Sequence, residues 1–242
     1  MKTIGLLGGM SWESTLSYYQ GLNQEIKASL GGLNSAKVCL YSINFDEIEK
    51  HQRLGQWDEA AKILSKAAQN IEAGGADFLL ICTNTMHKVA PQIETAINIP
   101  LLHIADATAQ QLAQDGMEKV GLLGTKFTME QDFYKRRITD KFGIEIITPN
   151  QDERQAIHDI IYQELCLGVI SNSSRTRYLE IINKLHQQGA QAVILGCTEI
   201  GLLVNKSDTN VPLYDTTELH MQAAIDIALS NSEEIMLCND SD

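Results

Sequence analysis

The chain has 242 residues, 44% of them hydrophobic and 21% charged, and a formal net charge of −12 at neutral pH. These are globular values, and the length can bury a real core in one large domain or two small ones. The acidic balance argues against a protein built to wrap nucleic acid. No apolar run approaches the ~20 residues of a membrane span, and the start MKTIGLLGG lacks a signal-peptide core and cleavage site, so the expectation is a cytoplasmic protein with no membrane partner.

Strand-like apolar runs fall at Thr3–Gly8, Val38–Ile43, Phe78–Cys82, Pro100–Ile104, Val120–Gly124, Ile144–Thr148, Ala192–Gly196 and Pro212–Tyr214. Helical periodicity lies between them, as in Glu59–Ala73, Ile157–Leu167 and Tyr178–Gln187. Strands alternating with helices predict an α/β protein with parallel sheets. The chain also repeats itself. Ile4-Gly5-Leu6-Leu7-Gly8 matches Val120-Gly121-Leu122-Leu123-Gly124 at an offset of 116. Gly75-Ala76 before Phe78–Ile81 matches Gly189-Ala190 before Ala192–Leu195 at 114, and Ile99-Pro100-Leu101 matches Val211-Pro212-Leu213 at 112. Ordered matches with a slow drift imply a duplicated unit of ~110 residues. The expected architecture is two pseudo-symmetric domains, each a four-stranded parallel sheet flanked by helices, with the site in the cleft between them. Residues 1–104 plus 213–230 form the first, 105–212 the second, and 231–242 an acidic tail.

The five cysteines, without a secretion signal, read as free thiols. Neither they nor the six histidines show a metal-site spacing, so no metal is expected. Gly8-Gly9 fits neither nucleotide-loop pattern. Its glycines suit close approach to a small ligand, with Met10 lining the pocket. In open parallel sheets, ligands bind beyond the carboxyl ends of the strands. That points to Gly8–Ser11, Cys82–Thr85, Gly124-Thr125 and Gly196–Glu199. The offset of 114 superposes Thr83 on Cys197 and Asn84 on Thr198. Two such positions would face a ligand from opposite sides, as inversion at carbon requires. Cys197 is the candidate acid/base, with a thiol that a helix start would push down. Thr83 is the odd partner, because an alkoxide is too costly near neutral pH. Cys82 is adjacent, but strand alternation turns it to the other face.

Six motifs carry a resemblance over residues 1–230: Gly8-Gly9-Met10-Ser11-Trp12-Glu13-Ser14, Thr83-Asn84-Thr85-Met86-His87-Lys88, His103–Thr108, Leu123-Gly124-Thr125 with Thr128-Met129-Glu130, Ile161-Tyr162 with Glu164-Leu165-Cys166, and Gly196-Cys197-Thr198-Glu199-Ile200. The chain resembles the aspartate/glutamate racemase family, in its branch of broad-specificity amino-acid racemases. The resemblance implies D-amino-acid formation by proton transfer at Cα of a free amino acid, with no cofactor and no pyridoxal phosphate. It carries one catalytic cysteine, acting on the L form, onto Cys197 and the other onto Thr83. It passes the cradling of the substrate α-carboxylate to Asn84, Thr85 and Thr198. It makes Gln52 and Arg53 candidates for reading the side chain, against an ordinary solvated loop. It keeps Cys166, where aspartate-specific relatives carry a lysine, and so weakens a strict preference for aspartate. Aspartate and glutamate lead as substrates, a small neutral amino acid such as homoserine follows, and a homodimer is an assembly the resemblance allows. His87 stands between a supporting and a structural role, and Glu199 between orienting and catalysing. A non-catalytic amino-acid binder, or maleate isomerisation or decarboxylation on the same fold, are the alternatives.

Overall fold

Each half of the chain begins with an apolar strand of small and branched residues that is buried along its length. In the computed structural model, which describes residues 1–230, β1 (Ile4–Gly8) and β5 (Lys119–Gly124) are those strands. β1 pairs in parallel with β2 (Val38–Ser42) and β3 (Phe78–Ile81), and β3 with β4 (Leu101–Leu102). β5 likewise pairs with β6 (Glu145–Ile147) and β7 (Ala192–Gly196), and β7 with β8 (Leu213–Asp215). The strand orders, β2-β1-β3-β4 and β6-β5-β7-β8, are the same topology twice. All eight expected strands form, with ends displaced by at most two residues, and the fold class is the expected one. The tail 231–242 lies outside the described residues.

Helices cover both faces of each sheet, so β1, β3, β5 and β7 have no polar face to present and read as continuous apolar runs. Ile4, Leu6, Tyr18, Leu22, Phe78, Leu80 and Cys82 form the core on one face of the first sheet. Leu7, Ile48, Leu64, Ile71, Leu79 and Ile81 form the core on the other. Each such side chain contributes about 1.5–3 kcal/mol on burial. The C-terminal helix Thr216–Leu229 places Ala224, Ile225 and Ala228 in the first of these cores. The return to the first unit therefore begins at Thr216. Residues 213–215, expected with the first unit, belong to β8 in the second sheet. The two units are thus joined by two crossings, one before the helix Ile104–Gln114 and one before Thr216–Leu229.

That junction holds three buried histidines. The His87 and His103 rings lie 4.4 Å apart, and His220 Nε2 donates to Leu102 O at 2.9 Å while its Nδ1 accepts from the Tyr18 hydroxyl at 2.8 Å. Burial holds all three basicities down, with the neighbouring positive charges adding for His87 and His103; His220 is lowered to about 4. Unfolded histidines titrate near pH 6.5. A base whose folded pKa is depressed stabilises the fold above the unfolded pKa and loses that stability as the pH falls. Asp215 works the other way, because burial raises its carboxyl to about 6. The three histidines outweigh the one carboxyl, so unfolding takes up protons on balance and stability falls as the pH drops from about 6.5 to about 5. Urea titrations across that window measure the slope; a flat profile would contradict this account.

Candidate active site

The carboxyl ends of β1, β3, β5 and β7 meet in one cleft between the two sheets. Its free volume is about 20 Å³, room for a single water. Met10, Gln52, Thr83, Asn84, Thr85, Cys166 and Cys197 line it, together with Phe45, Thr125, Ile161, Tyr162, Gly196 and Glu199. The pseudo-symmetric pair Thr83 and Cys197 therefore share the cleft, one at the end of β3 and one at the end of β7.

The loop after β1 is shaped by Gly9, whose φ of +90° only glycine adopts readily and whose missing Cβ would collide with the Ile43 backbone. Gly9 N donates to Thr15 Oγ1 at 2.7 Å, and Thr15 Oγ1 donates to Ser11 O at 2.8 Å. Ser11 caps the helix Trp12–Leu30, accepting from Ser14 N at 3.3 Å. The same hydroxyl donates across the cleft to Glu199 Oε1 at 2.7 Å. A local capping signal thus also positions a group of the other unit.

Glu199 is the hub. It is only 3% exposed. Its Oε2 accepts from Cys197 Sγ at 3.0 Å and Thr198 Oγ1 at 2.7 Å, and its Oε1 from Ser11 and from Cys166 Sγ at 3.9 Å. The charge of Glu199 is therefore satisfied by neutral donors only. Cys197 is buried, and burial first, then the Glu199 charge, push its thiol well above the ordinary range. This corrects the expectation of a thiol lowered by a helix start. The helix that follows, Ile200–Leu203, is one turn long, and a carboxylate lies between its start and the sulfur. Thr198 does not line the cleft; its hydroxyl is turned to Glu199.

On the opposite wall, His87 Nε2 accepts from Ile104 N at 3.2 Å, so Nδ1 carries the hydrogen and donates to Thr83 O at 2.8 Å. His87 is a positioning residue that fixes the turn carrying Thr83. Thr83 lines the cleft, and its hydroxyl makes no hydrogen bond among the described residues. Asn84 Nδ2 donates to Thr216 Oγ1 at 2.9 Å, and Thr216 Oγ1 donates to Leu195 O at 2.9 Å. That chain fixes the amide orientation and leaves Asn84 Oδ1 a buried acceptor with no partner. Thr85 and Thr125 bond hydroxyl to hydroxyl at 3.0 Å between the units.

Gln52 and Arg53 end a helix, Phe45–Arg53, rather than a solvated loop. Successive helical residues point about 100° apart, so only one of them can face inward. Gln52 is 4% exposed and lines the cleft. Arg53 points outward, two-thirds exposed, against Glu49 at 3.5 Å, and is not part of the site. Gln52 Oε1 accepts from the Tyr162 hydroxyl at 3.2 Å, a further bond between the units. Cys82 is buried in the core of the first sheet, off the cleft. Ser11 and Thr125 fall in the strand-end segments expected to carry the site, whereas no local chemical signal marks Tyr162. Tyr162 ends the helix Gln151–Gln163 and Cys166 sits in the 3-10 turn Leu165–Leu167 that follows it, and both line the cleft.

Among the described residues no three His, Cys, Asp or Glu side chains gather as metal ligands, and no helix is long and apolar enough to cross a membrane.

The Asp/Glu/Hydantoin racemase family model matches residues 7–224. The crystal structure of a candidate Asp/Glu racemase from Yersinia pestis is 57% identical, covers 95% of this chain and all of that one, and superposes with a TM-score of 0.88. An aspartate racemase homologue from Pyrococcus horikoshii OT3 is 34% identical with the same coverage and a TM-score of 0.82. Among curated proteins, the broad-specificity amino-acid racemase RacX of Bacillus subtilis is 22% identical over 88% of this chain and 92% of its own length. With a duplicated parallel fold, a cleft at the strand ends and a match along nearly its whole length, the chain belongs to the Asp/Glu/Hydantoin racemase family.

Proposed function

We propose that this protein racemises free amino acids by cofactor-independent proton transfer at Cα, with Cys197 working on the L side and Thr83 on the other. One observation carries this reading. Cys197 hydrogen-bonds the buried Glu199 at the end of β7, and the symmetry-related Thr83 lines the same cleft from the end of β3.

As a thiol pushed up by burial, Cys197 is not itself a base at neutral pH. It needs an acceptor for its proton, and Glu199 Oε2 stands 3.0 Å away. Transfer of the thiol proton to Glu199 gives the thiolate. The thiolate then takes the α-proton, and the electron pair stays on Cα. The substrate ammonium offsets the new charge, and the unpartnered Asn84 Oδ1 is an acceptor free to take that ammonium. An acceptor does not bind a carboxylate, so the α-carboxylate falls to N–H and hydroxyl donors such as Thr85. A proton returns to the opposite face from a water that the Thr83 hydroxyl orders, and the hydroxide left behind is neutralised by the proton that Glu199 took from the thiol. A cleft with room for one water admits the substrate only when the units part, across the Gln52–Tyr162 and Ser11–Glu199 bonds.

Enantiomers have equal energy, so no arrangement of these groups makes the equilibrium one-sided, and every route from L to D also runs back. What the threonine changes is the balance between exchange and inversion. Thr83→Cys supplies the missing carrier and is expected to raise the inversion rate at least tenfold, read by chiral separation. An unchanged or lower rate in a folded variant would count against Thr83 as the weak side. The test of the reading itself is cofactor-free α-proton exchange in D2O over a panel of L- and D-amino acids. No exchange with any of them would favour a binder, or a different reaction on this fold.

A further inference from the structure

The cleft holds one charge and no cation. Besides Glu199, every residue that lines it is neutral, and no lysine, arginine or histidine is among them. The nearest candidates on the same motifs are committed elsewhere. Arg53 is outside, against Glu49. Lys88 lies 3.9 Å over the Trp57 ring and donates to Gln131 Oε1 at 2.5 Å. A substrate carrying a second carboxylate would bury it here unpaired and near the Glu199 charge, which is strongly unfavourable in a water-poor site.

A cationic side chain fares no better. Both oxygens of Glu199 already accept two hydrogen bonds each, from Ser11 and Cys166 on one and from Cys197 and Thr198 on the other. Once the units close again over a substrate, these four bonds fill the four lone-pair sites of the carboxylate. Gln52, in contrast, has capacity left. Its carbonyl oxygen accepts from Tyr162, and its amide nitrogen donates one hydrogen to Met86 Sδ at 2.8 Å, leaving a second N–H. Gln52 is buried, held by one bond from each unit, and lines the cleft together with Tyr162 and Cys166.

We propose that the cleft selects amino acids with a neutral, hydrogen-bonding side chain, an amide or a hydroxyl, and rejects acidic and basic ones, with Gln52 as the specificity-determining residue. This rests on the racemase reading above. The test is α-proton exchange in D2O by the full chain on pairs of equal shape and different charge, L-Gln against L-Glu and L-Asn against L-Asp, with L-homoserine, L-Met and L-Lys alongside. At least one amide is expected to exceed its acid by about 100-fold or more in kcat/KM, with L-Lys also low, because a buried site built for neutral partners rejects a misplaced charge strongly. An acid equal to or better than its amide, or L-Lys as the best substrate, would overturn the proposal while leaving the racemase reading intact. No exchange on any amino acid would remove both. Gln52→Leu is expected to lower the preference for L-Gln over L-Met at least tenfold, and Tyr162→Phe, which frees the Gln52 amide from its orienting bond, to lower it in the same direction. Unchanged ratios in both variants would dismiss Gln52 as the determinant.

Discussion

In D2O, this protein is expected to wash the α-proton out of an L-amino acid faster than it inverts that amino acid, and to act on the D enantiomer far more slowly. The asymmetry follows from the two walls of the cleft. On one, a thiol sits 3.0 Å from a buried carboxylate that can hold its proton. On the other, a threonine hydroxyl with no hydrogen-bond partner has neither the acidity nor the base needed to carry a proton itself. A proton taken by Cys197 therefore exchanges with solvent and returns to the same face more often than one is delivered to the opposite face. Cys197→Ser should remove L-side exchange by at least about 1000-fold, or about 4 kcal/mol in the barrier, because a serine hydroxyl is a far poorer proton acceptor. The measurement pairs NMR of the α-proton with chiral separation. Equal exchange rates for both enantiomers, or full activity in Cys197→Ser, would reject the assignment of roles.

Glu199→Gln separates two functions of the carboxylate that pull in opposite directions. As a charge beside Cys197, Glu199 opposes thiolate formation, and its removal lets the thiol fall back toward its ordinary range. As the proposed proton acceptor, it would give the thiolate at neutral pH by taking the thiol proton over the 3.0 Å between them. If acceptance dominates, the variant loses about 10²–10³-fold in L-side exchange at pH 7, a normal share for a general base. Its residual rate then climbs with pH as hydroxide takes over, reaching a plateau once the lowered thiol is ionised. The unsubstituted protein should show a shallower pH dependence through neutrality, because the acceptor travels with the site. A rise in activity at pH 7 on substitution would instead make Glu199 an electrostatic brake. Circular dichroism would check that the Ser11 and Thr198 bonds to this position are not needed for folding.

The legible part of this molecule was the part written in local patterns. Apolar runs at regular spacing, together with three ordered internal matches, marked eight strands and a duplication, and the structure contains both. Strand alternation turned Cys82 away from the cleft, and the core around Tyr18 and Leu80 holds it there. Errors arose where one residue's neighbours are far along the chain. Gln52 and Arg53 are adjacent and similarly polar, and nothing local shows which faces inward; burial against Met86 and Tyr162 decides it. The boundary at 213 slipped because β8 is three residues long and pairs with β7 rather than with anything nearby. The Cys197 thiol was misjudged because burial, set by everything packed around it, is the first influence on it, ahead of the Glu199 charge two residues on.

By itself, then, the amino-acid sequence determined an α/β duplication, the strand ends as the place for chemistry, and the residue types gathered there. Those follow from periodicity and short-range sterics, which act over a few residues and repeat in both halves. Only the tertiary structure decided that Glu199 binds two hydroxyls and two thiols, that Arg53 is excluded, and that the cleft contains no cation. Each of these is a statement about desolvation and about which side chains the two sheets bring within hydrogen-bond reach. Desolvation depends on everything packed around a group, so it is set by the docking of the two units and not by any window of the chain.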